Sequence, residues 1–537
     1  MSRDIKSKGQ PELPVDGRWQ NQHVFAAWDS VISKFEDRLS GSAPKVVWFS
    51  SSSVRGRLAQ IVSSRCYLSF ARICVQRLKS GQNPIPPDDE PLRLEGLTFY
   101  GDGRVRVTAP VLGRMLLQFA SQWLRASLDV LRGVAGRNAD PAALAFGIDA
   151  SLTHRDGSDA RFVEFCRSGP IRPLADAPRI LIQEYAIKGC VSDPSVVYDS
   201  RIVDRLIQES ALSLPARVRQ LVEHIASLPR FLLSVTRFPL VSLLAADVAY
   251  AAAIRALDRA GLITDVVITN SAYHFQPLWM RDLDTRSFRV HKVHYSQHTK
   301  PLIYASEPIE TPHPAFRLIE VDEHWVWTEG HREYLEGLGH AGTAHVVGPI
   351  LFYLPDAPTC PENDDISVAV FDITPLEVEV LEAKSGFIDY FYRADNMLRF
   401  IEEIIEACEE VGDRLGSRIR VFLKHKRVHG EGHDMRYVSR IQHLVEEQRL
   451  ETLPHDTDLF ALLSKCSLSI SIPFTSVPYV SSSLKKSGLY FDPTRELLPS
   501  FERDPFVGHA SGKEELLKAI EGAVSFDLSE SETSTGA

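Results

Sequence analysis

Ser467-Leu-Ser-Ile-Ser-Ile-Pro-Phe-Thr-Ser-Val-Pro-Tyr-Val-Ser-Ser-Ser-Leu-Lys-Lys-Ser-Gly-Leu-Tyr-Phe-Asp-Pro493 is the stretch on which the fold turns. Its apolar run, Leu468 to Ile472, reads as a strand stopped by Pro473, and the turn that follows presents Thr475 and Ser476 at the start of a helix. Unpaired backbone N–H groups at a helix start, with two hydroxyls beside them, suit a phosphate. The spacing predicts that this helix ends at Gly488 and that a second strand runs from Leu489 to Phe491. Strand, loop, helix and strand in that order form one unit of a parallel sheet, with the loop at its carboxyl edge. A plainer reading of Thr475 and Ser476 is that one of them caps the helix.

Outward from this unit the same cycle repeats. Upstream come a strand from Ile366 to Phe371, a turn Asp372-Ile-Thr-Pro375, an amphipathic helix from Asp395 to Gly412, and a strand from Arg418 to Leu423 followed by Lys424-His425-Lys426-Arg427. A helix from Met435 to Glu447, a strand near Leu450 to Leu453 and a short helix from Asp458 to Lys465 complete the set. Earlier still, strands are expected at Asp265–Thr269, Val290–Ser296, Glu323–Thr328 and Ala344–Val347, and Gly348-Pro349 with the prolines at 355 and 358 marks a crossing between domains near 350–362. Before residue 265 the text is mostly helical, as in Val111–Arg132 and Ile202–Leu233, with strand candidates at Lys45–Ser50 and Arg179–Glu184. Residues 1–20 and 527–537 read as polar tails, the latter disordered.

At 537 residues the chain exceeds one core, so two large domains are expected, and 44% hydrophobic with 24% charged residues places it among water-exposed globular proteins. A formal charge of −10 argues against nucleic acid as a partner. Seven scattered cysteines without a CxxC pair fit reduced thiols rather than disulfides or zinc. The first residues lack the apolar centre of a secretory signal, so a cytoplasmic setting is expected. Phe238–Leu257 is apolar, but Asp247 and Arg255 within it favour a buried helix over a membrane span. No dinucleotide fingerprint, Walker loop, zinc-protease helix or nucleophile elbow stands in a suitable setting, and no Asp-x-Asp follows a strand, which disfavours metal-dependent transfer.

Pro473-Phe474-Thr475-Ser476, set after a strand and closed by Asp492-Pro493, resembles the PFTS motif of a family of bacterial surface-polysaccharide biosynthesis proteins. The resemblance spans Val346 to Leu498 and extends weakly to Val266. It implies an α/β fold of the GT-B type: two Rossmann-like domains facing a central cleft, here with a helix-rich N-terminal part. The implied division is 21–355 on the acceptor side and 356–526 for the nucleotide-sugar donor. It further implies a glycosyltransferase of the bacterial cell surface, with no cofactor, acting on a glycan or lipid-linked glycan at the inner face of the cytoplasmic membrane. Related alternatives are a polyol-phosphate transferase using CMP, an epimerase of the same architecture, and an inactive nucleotide-binding scaffold.

Three loops should converge at the carboxyl edge of the second sheet, carrying Asp372 and Thr374, then Lys424, His425 and Arg427, then Thr475 and Ser476. Cations and N–H donors there would hold the donor phosphates and stabilise a departing nucleotide without metal, although a basic strand end can equally be a solvated surface. His425 resembles the histidine of the His-Pro motif in bacterial sialyltransferases, which puts CMP-linked acidic sugars ahead of UDP- or GDP-sugars. Lys426 replaces that proline. An inverting transfer needs a base from the first domain, and His298, Glu307 and His274 are the candidates, with Asp322 behind them. A loop histidine is also a common structural hydrogen-bonder. Tyr273, Gln276 and Trp279 would line an acceptor site or pack in the core.

Overall fold

The computed structural model describes residues 20–132, 140–147, 177–183, 195–349 and 366–535, apart from 211, 270–275, 283–285, 295, 297–302, 307–313, 341, 386–389, 427–429, 431, 456, 474 and 500–503. Helices Gln20–Ser40 and Ser51–Lys79 lead into a small antiparallel meander, β1 (Leu92–Leu94), β2 (Leu97–Phe99) and β3 (Val105–Val107), followed by helix Ala109–Arg132. A seven-stranded parallel sheet then contains β4 (Ala142–Phe146), β5 (Arg179–Gln183), β6 (Val196–Asp199), β7 (Ile263–Thr269), β8 (Arg289–Val293), β9 (Glu323–Val326) and β10 (Thr343–Val346). Its spatial order is β10-β9-β8-β7-β4-β5-β6. The second sheet, also parallel, contains β11 (Ser367–Phe371), β12 (Arg420–Lys424), β13 (Glu451–Leu453), β14 (Leu468–Ser471), β15 (Ser487–Asp492) and β16 (Val507–Ser511), ordered β13-β12-β11-β14-β15-β16. Both sheets grow outward from their first strand and then reverse, which creates a switch point between β4 and β7 and another between β11 and β14.

Alternation along the strands feeds two apolar layers in the second sheet. Val368, Val370, Ile470 and Phe491 pack under helix Ala394–Leu415, whose Phe400, Ile401, Ile404 and Ile405 face them, and under Leu516, Ile520 and Val524 of the last helix. Ala369, Phe371 and Tyr490 cover the other face with Tyr479, Val480 and Leu462. Helix Ala394–Leu415 stops at Gly416, whose φ of 64° is left-handed, and Asp434 caps helix Met435–Glu446 by accepting from Arg436 N at 3.0 Å.

The first sheet reaches further back than expected, because β4 and β6 stand in it beside β5. The N-terminal helices cover one of its faces, with Trp28, Leu58, Val248 and Ile254 packed on Leu144, Leu181, Val266 and Val290. Pro239–Arg259 is long and apolar enough to cross a membrane, with mean hydropathy 1.7, yet 83% of its apolar window is buried inside the protein, as expected of a core helix. The thiols of Cys66, Cys74 and Cys408 are buried and pushed up to about 12 by loss of hydration.

Three expectations need correction. Lys45–Ser50 is no strand: Val46 and Phe49 form an isolated bridge, and Ser50 caps the next helix by accepting from Ser53 N. Gly488 does not end a helix; Val477–Ser483 is shorter, and Gly488 lies in β15, where a Cβ would stand 2.5 Å from Pro478 Cα. Glycine there lets the helix lie directly on the strand. The polar end of the chain is helical to Thr535, since the turns anchored by Leu516, Ile520 and Val524 nucleate a helix that extends at little further cost. Residues 1–19 and the crossing at 350–365 lie outside the described residues.

Loops from the two carboxyl edges are laced together. Tyr304 bridges Leu497, Ala305 N donates to Glu496 O at 2.8 Å, and Leu498 N donates to Ile303 O at 2.8 Å. A second contact joins helix Ser51–Lys79 to helix Val378–Ser385, through Arg72 Nη2 to Ala383 O at 2.7 Å and Lys79 to Glu382 at 3.4 Å.

Candidate donor and acceptor sites

Strands β12, β11 and β14 are neighbours, so their carboxyl-end loops lie side by side across two strand spacings, about 10 Å, the reach of a diphosphate with part of its sugar. After β11, Asp372 is buried and accepts a hydrogen bond from the Tyr437 hydroxyl, while Thr374 Oγ1 donates to Asp372 Oδ1 at 3.3 Å. Burial and the Asp372 carboxylate push the Tyr437 phenol well above its usual range, so it remains a donor. Thr374 adopts φ 51°, a left-handed conformation that a threonine takes only when its surroundings impose it. The turn is held by Asp434 N donating to Pro375 O at 3.0 Å.

After β14, Thr475 Oγ1 donates to Ser471 Oγ at 2.9 Å and Ile472 O at 3.2 Å, and the Thr475 carbonyl accepts from the Tyr490 hydroxyl. Thr475 thus secures the loop. Ser476 occupies the position before the first helical turn but makes no side-chain cap to it. Pro478 removes one N–H from that turn, leaving fewer donors than a generic helix start. The helix seats tightly, through Ser469 Oγ to Ser481 Oγ at 2.6 Å. After β12, Lys424 is turned toward the neighbouring loop, its Nζ donating to His455 O at 2.7 Å, while His425 is half-buried and Lys426 exposed. Arg427 and Phe474 lie outside the described residues, so the described site comprises Asp372, Thr374, Lys424, His425, Thr475 and Ser476.

On the first sheet, Tyr273, His274, His298 and Glu307 all lie outside the described residues. Gln276 is a structural pin: its Nε2 donates to Glu320 O at 2.6 Å and its Oε1 accepts from Glu320 N at 3.0 Å. Asp322 precedes β9, at the opposite edge of the sheet, and is taken by Arg286 through two contacts of 2.5 and 2.9 Å. It is no base. Trp279 is 8% exposed and packs on Phe146 and Phe288, yet one edge lines a cavity of about 320 Å³.

That cavity escaped the sequence reading. It lies where β4, β5 and β6 end, with Phe146, Gln183 and Ser200 in its wall beside Gln122, Asp204 and Tyr250. Burial raises the Asp204 carboxyl, a shift offset in part by its hydrogen bond from Tyr250. Polar side chains over aromatic faces suit a sugar. The sequence signals were Trp279, named as an acceptor candidate, and Gln183 at the end of an expected strand; Phe146 and Ser200 stand at the ends of β4 and β6, and Gln122, Asp204 and Tyr250 come from three separate helices. A larger cavity, about 380 Å³, lies beside Arg420 and Glu451 at the amino edge of the second sheet, away from the switch point.

Two doubly wound parallel sheets joined through carboxyl-edge loops define a protein of the GT-B fold. The chain belongs to the family of polysaccharide biosynthesis PFTS motif proteins, whose model matches residues 226–520, more than half its length and beyond both the expected span Val346–Leu498 and its weak extension to Val266. No curated protein matches it. Similar solved structures include S. aureus TarM with fondaparinux, alpha-GlcNAc-glycerol and UDP, at 12% identity and TM-score 0.31 over 52% of each chain. Another is M. jannaschii UDP-GlcNAc 2-epimerase with UDP-GlcNAc and UDP, at 12% identity and TM-score 0.34 over 72% of this chain and 93% of that one. A third is E. coli trehalose-6-phosphate bound with UDP-2-fluoro glucose, at 13% identity and TM-score 0.35 over 72% and 92%. The chain spans about half the length of TarM. At these identities and scores the likeness says nothing about chemistry.

Proposed function

We propose that this protein is a GT-B glycosyltransferase of surface-polysaccharide assembly, which takes a sugar from a nucleotide donor at the β11/β14 switch point and passes it to a glycan or lipid-linked glycan. One observation carries the reading: in a member of a polysaccharide-biosynthesis family, the PFTS loop and the Asp372 turn flank the switch point of a doubly wound sheet. Ser476 and the N–H groups of the loop bind phosphate, and His425 with its basic neighbours stabilises the charge that develops as the nucleotide departs. The acceptor hydroxyl loses its proton to a first-half base, His298 or Glu307, and the cavity under Trp279 holds acceptor sugar. A CMP-linked acidic sugar is the favoured donor, on the likeness of His425 to the sialyltransferase histidine. The reaction takes place in the cytoplasm.

A thermal-shift screen of CMP, UDP, GDP and their sugars tests the donor, since saturation a hundredfold above Kd adds about 2.7 kcal/mol to stability. The expected result is stabilisation by CMP and transfer from its sugar that survives EDTA. Stabilisation by none of the nucleotides would remove the proposal.

A further inference from the structure

Helix Leu214–Arg237 buries Gln220, His224 and Ser227 beside Phe231 and Val235, while Leu214, Val218, Val222, Ile225 and Leu233 are 51–73% exposed. Steps of four, four, three and eight residues keep that row on one side of the helix for about 29 Å. Helix Ala109–Arg132 lies against it, with Phe119 on Phe231 at 4.3 Å, Trp123 stacked on His224 at 4.5 Å, and Trp123 Nε1 donating to His224 O at 3.2 Å. It presents a row of its own, Leu117, Leu124 and Leu128, 51–74% exposed. Such long aligned apolar rows on adjacent helices are not ordinary scattered surface leucines.

The charge around the rows is equally unusual. The two helices carry seven arginines and two carboxylates, a net +5 on a chain of net −10. Neither carboxylate is free: Asp129 is 2% exposed, and Glu223 is paired with Arg259 at 2.8 Å and Arg219 at 3.2 Å. Arg114, Arg125, Arg230 and Arg237 stand exposed beside the leucines. We infer that this two-helix face docks on an anionic lipid bilayer, with the apolar rows entering the headgroup boundary and the arginines meeting lipid phosphates. Self-association through the same face would bring the exposed Arg114, Arg125, Arg230 and Arg237 of two copies together, which opposes a second copy as the occupant. Gln122 and Arg125 of helix Ala109–Arg132 also line the 320 Å³ cavity, so a docked membrane would lie beside the pocket assigned to acceptor sugar. That last link rests on the transfer reading; the docking does not.

Flotation of the full chain with vesicles tests docking without turnover. The protein should float with phosphatidylcholine vesicles containing phosphatidylglycerol, much less with phosphatidylcholine alone, and less as salt rises. Val218→Gln/Val222→Gln/Ile225→Gln, and separately Leu117→Gln/Leu124→Gln, should each reduce partition roughly tenfold or more with an unchanged melting temperature. Arg114→Glu/Arg230→Glu should abolish the phosphatidylglycerol preference. Failure of the natural chain to float, equal floating with both vesicle types, or undiminished floating of both apolar variants overturns the proposal. So does a dimer in light scattering that the apolar variants dissolve.

Discussion

At the end of β12, Lys424 and His425 are half-buried and Lys426 is exposed, whereas near the end of β8 Lys292 and His294 are sealed inside. Lys292 Nζ donates to Thr269 O at 2.9 Å, and burial brings the ammonium down to about 7. His294 Nε2 lies 3.2 Å from His324 Nδ1, His331 and His340 pack around them, and burial keeps His294 and His324 far below the usual histidine range. The two sheets are wound alike, but the strands stand on opposite sides of the switch points: β12 adjoins the first strand of its sheet, and β8 follows the reversal. One edge keeps its charge near water, where a phosphate can meet it, and the other suppresses charge by desolvation. Sheet topology therefore sets where a ligand can lie, and local hydration sets what kind of ligand.

The largest test of this contrast is at the exposed edge. His425→Ala should lower transfer roughly tenfold to a thousandfold while nucleotide binding falls far less, because departing charge is met in the transition state. Turnover and nucleotide titration on the same preparation check it. Transfer abolished by EDTA and restored by magnesium or manganese would shift that task to a metal.

Across the cleft, His298→Ala and Glu307→Gln separate the two base candidates. The true base should lose about a hundredfold in turnover with donor affinity intact. Full activity in both variants would place the base elsewhere, with Asp204 the next to replace.

A smaller effect belongs to the PFTS loop. Ser476→Ala with Thr475→Val should weaken nucleotide binding by roughly 1–3 kcal/mol. The single variants sharpen the roles: Ser476→Ala should affect affinity alone, and Thr475→Val should also lower the melting temperature, since Thr475 ties the loop to Ser471 and Ile472. Equal nucleotide affinity in the folded double variant would leave the loop a plain turn.

The buried cluster predicts the gentlest signal. Lys292 and the histidines have folded values below their unfolded ones, so the unfolded chain binds protons that the native chain refuses. Their contribution to stability is whole at high pH. It falls as pH drops from about 10 to 7 for Lys292, and below about 6.5 for the histidines, by about 1.4 kcal/mol per pH unit per group. Denaturant titrations should show Lys292→Met flattening the slope between pH 7 and 10. An unaltered slope would mean that Lys292 is hydrated in solution.

The second sheet was legible nearly strand by strand because strongly apolar runs such as Ser-Val-Ala-Val-Phe371 and Arg-Val-Phe-Leu-Lys424 alternate with periodic helices. The first sheet was legible only from β7 onward, except for β5. Its first strand, Ala142-Ala-Leu-Ala-Phe146, is too rich in alanine to signal a strand, and it is one only because its five buried residues find partners on β5 or β7. Among the site residues, the order of strands and loops already placed Asp372, Thr374, Lys424, His425, Thr475 and Ser476 on one edge. The roles of Gln276 and Asp322 were illegible, since their partners, Glu320 and Arg286, depend on how distant segments pack.

By itself the sequence determined the parallel-sheet class, the family, the position of the PFTS loop and the buried nature of Pro239–Arg259, because periodicity, breakers and composition are local or cumulative properties of a chain. Tertiary structure alone decided that β4 to β6 complete the first sheet, that Gly488 lets a helix lie on a strand, that Lys292 loses its water, and that helix Leu214–Arg237 turns an apolar row outward. Each of these depends on which side of an element meets a partner, and amphipathic order specifies two sides without saying which one is covered.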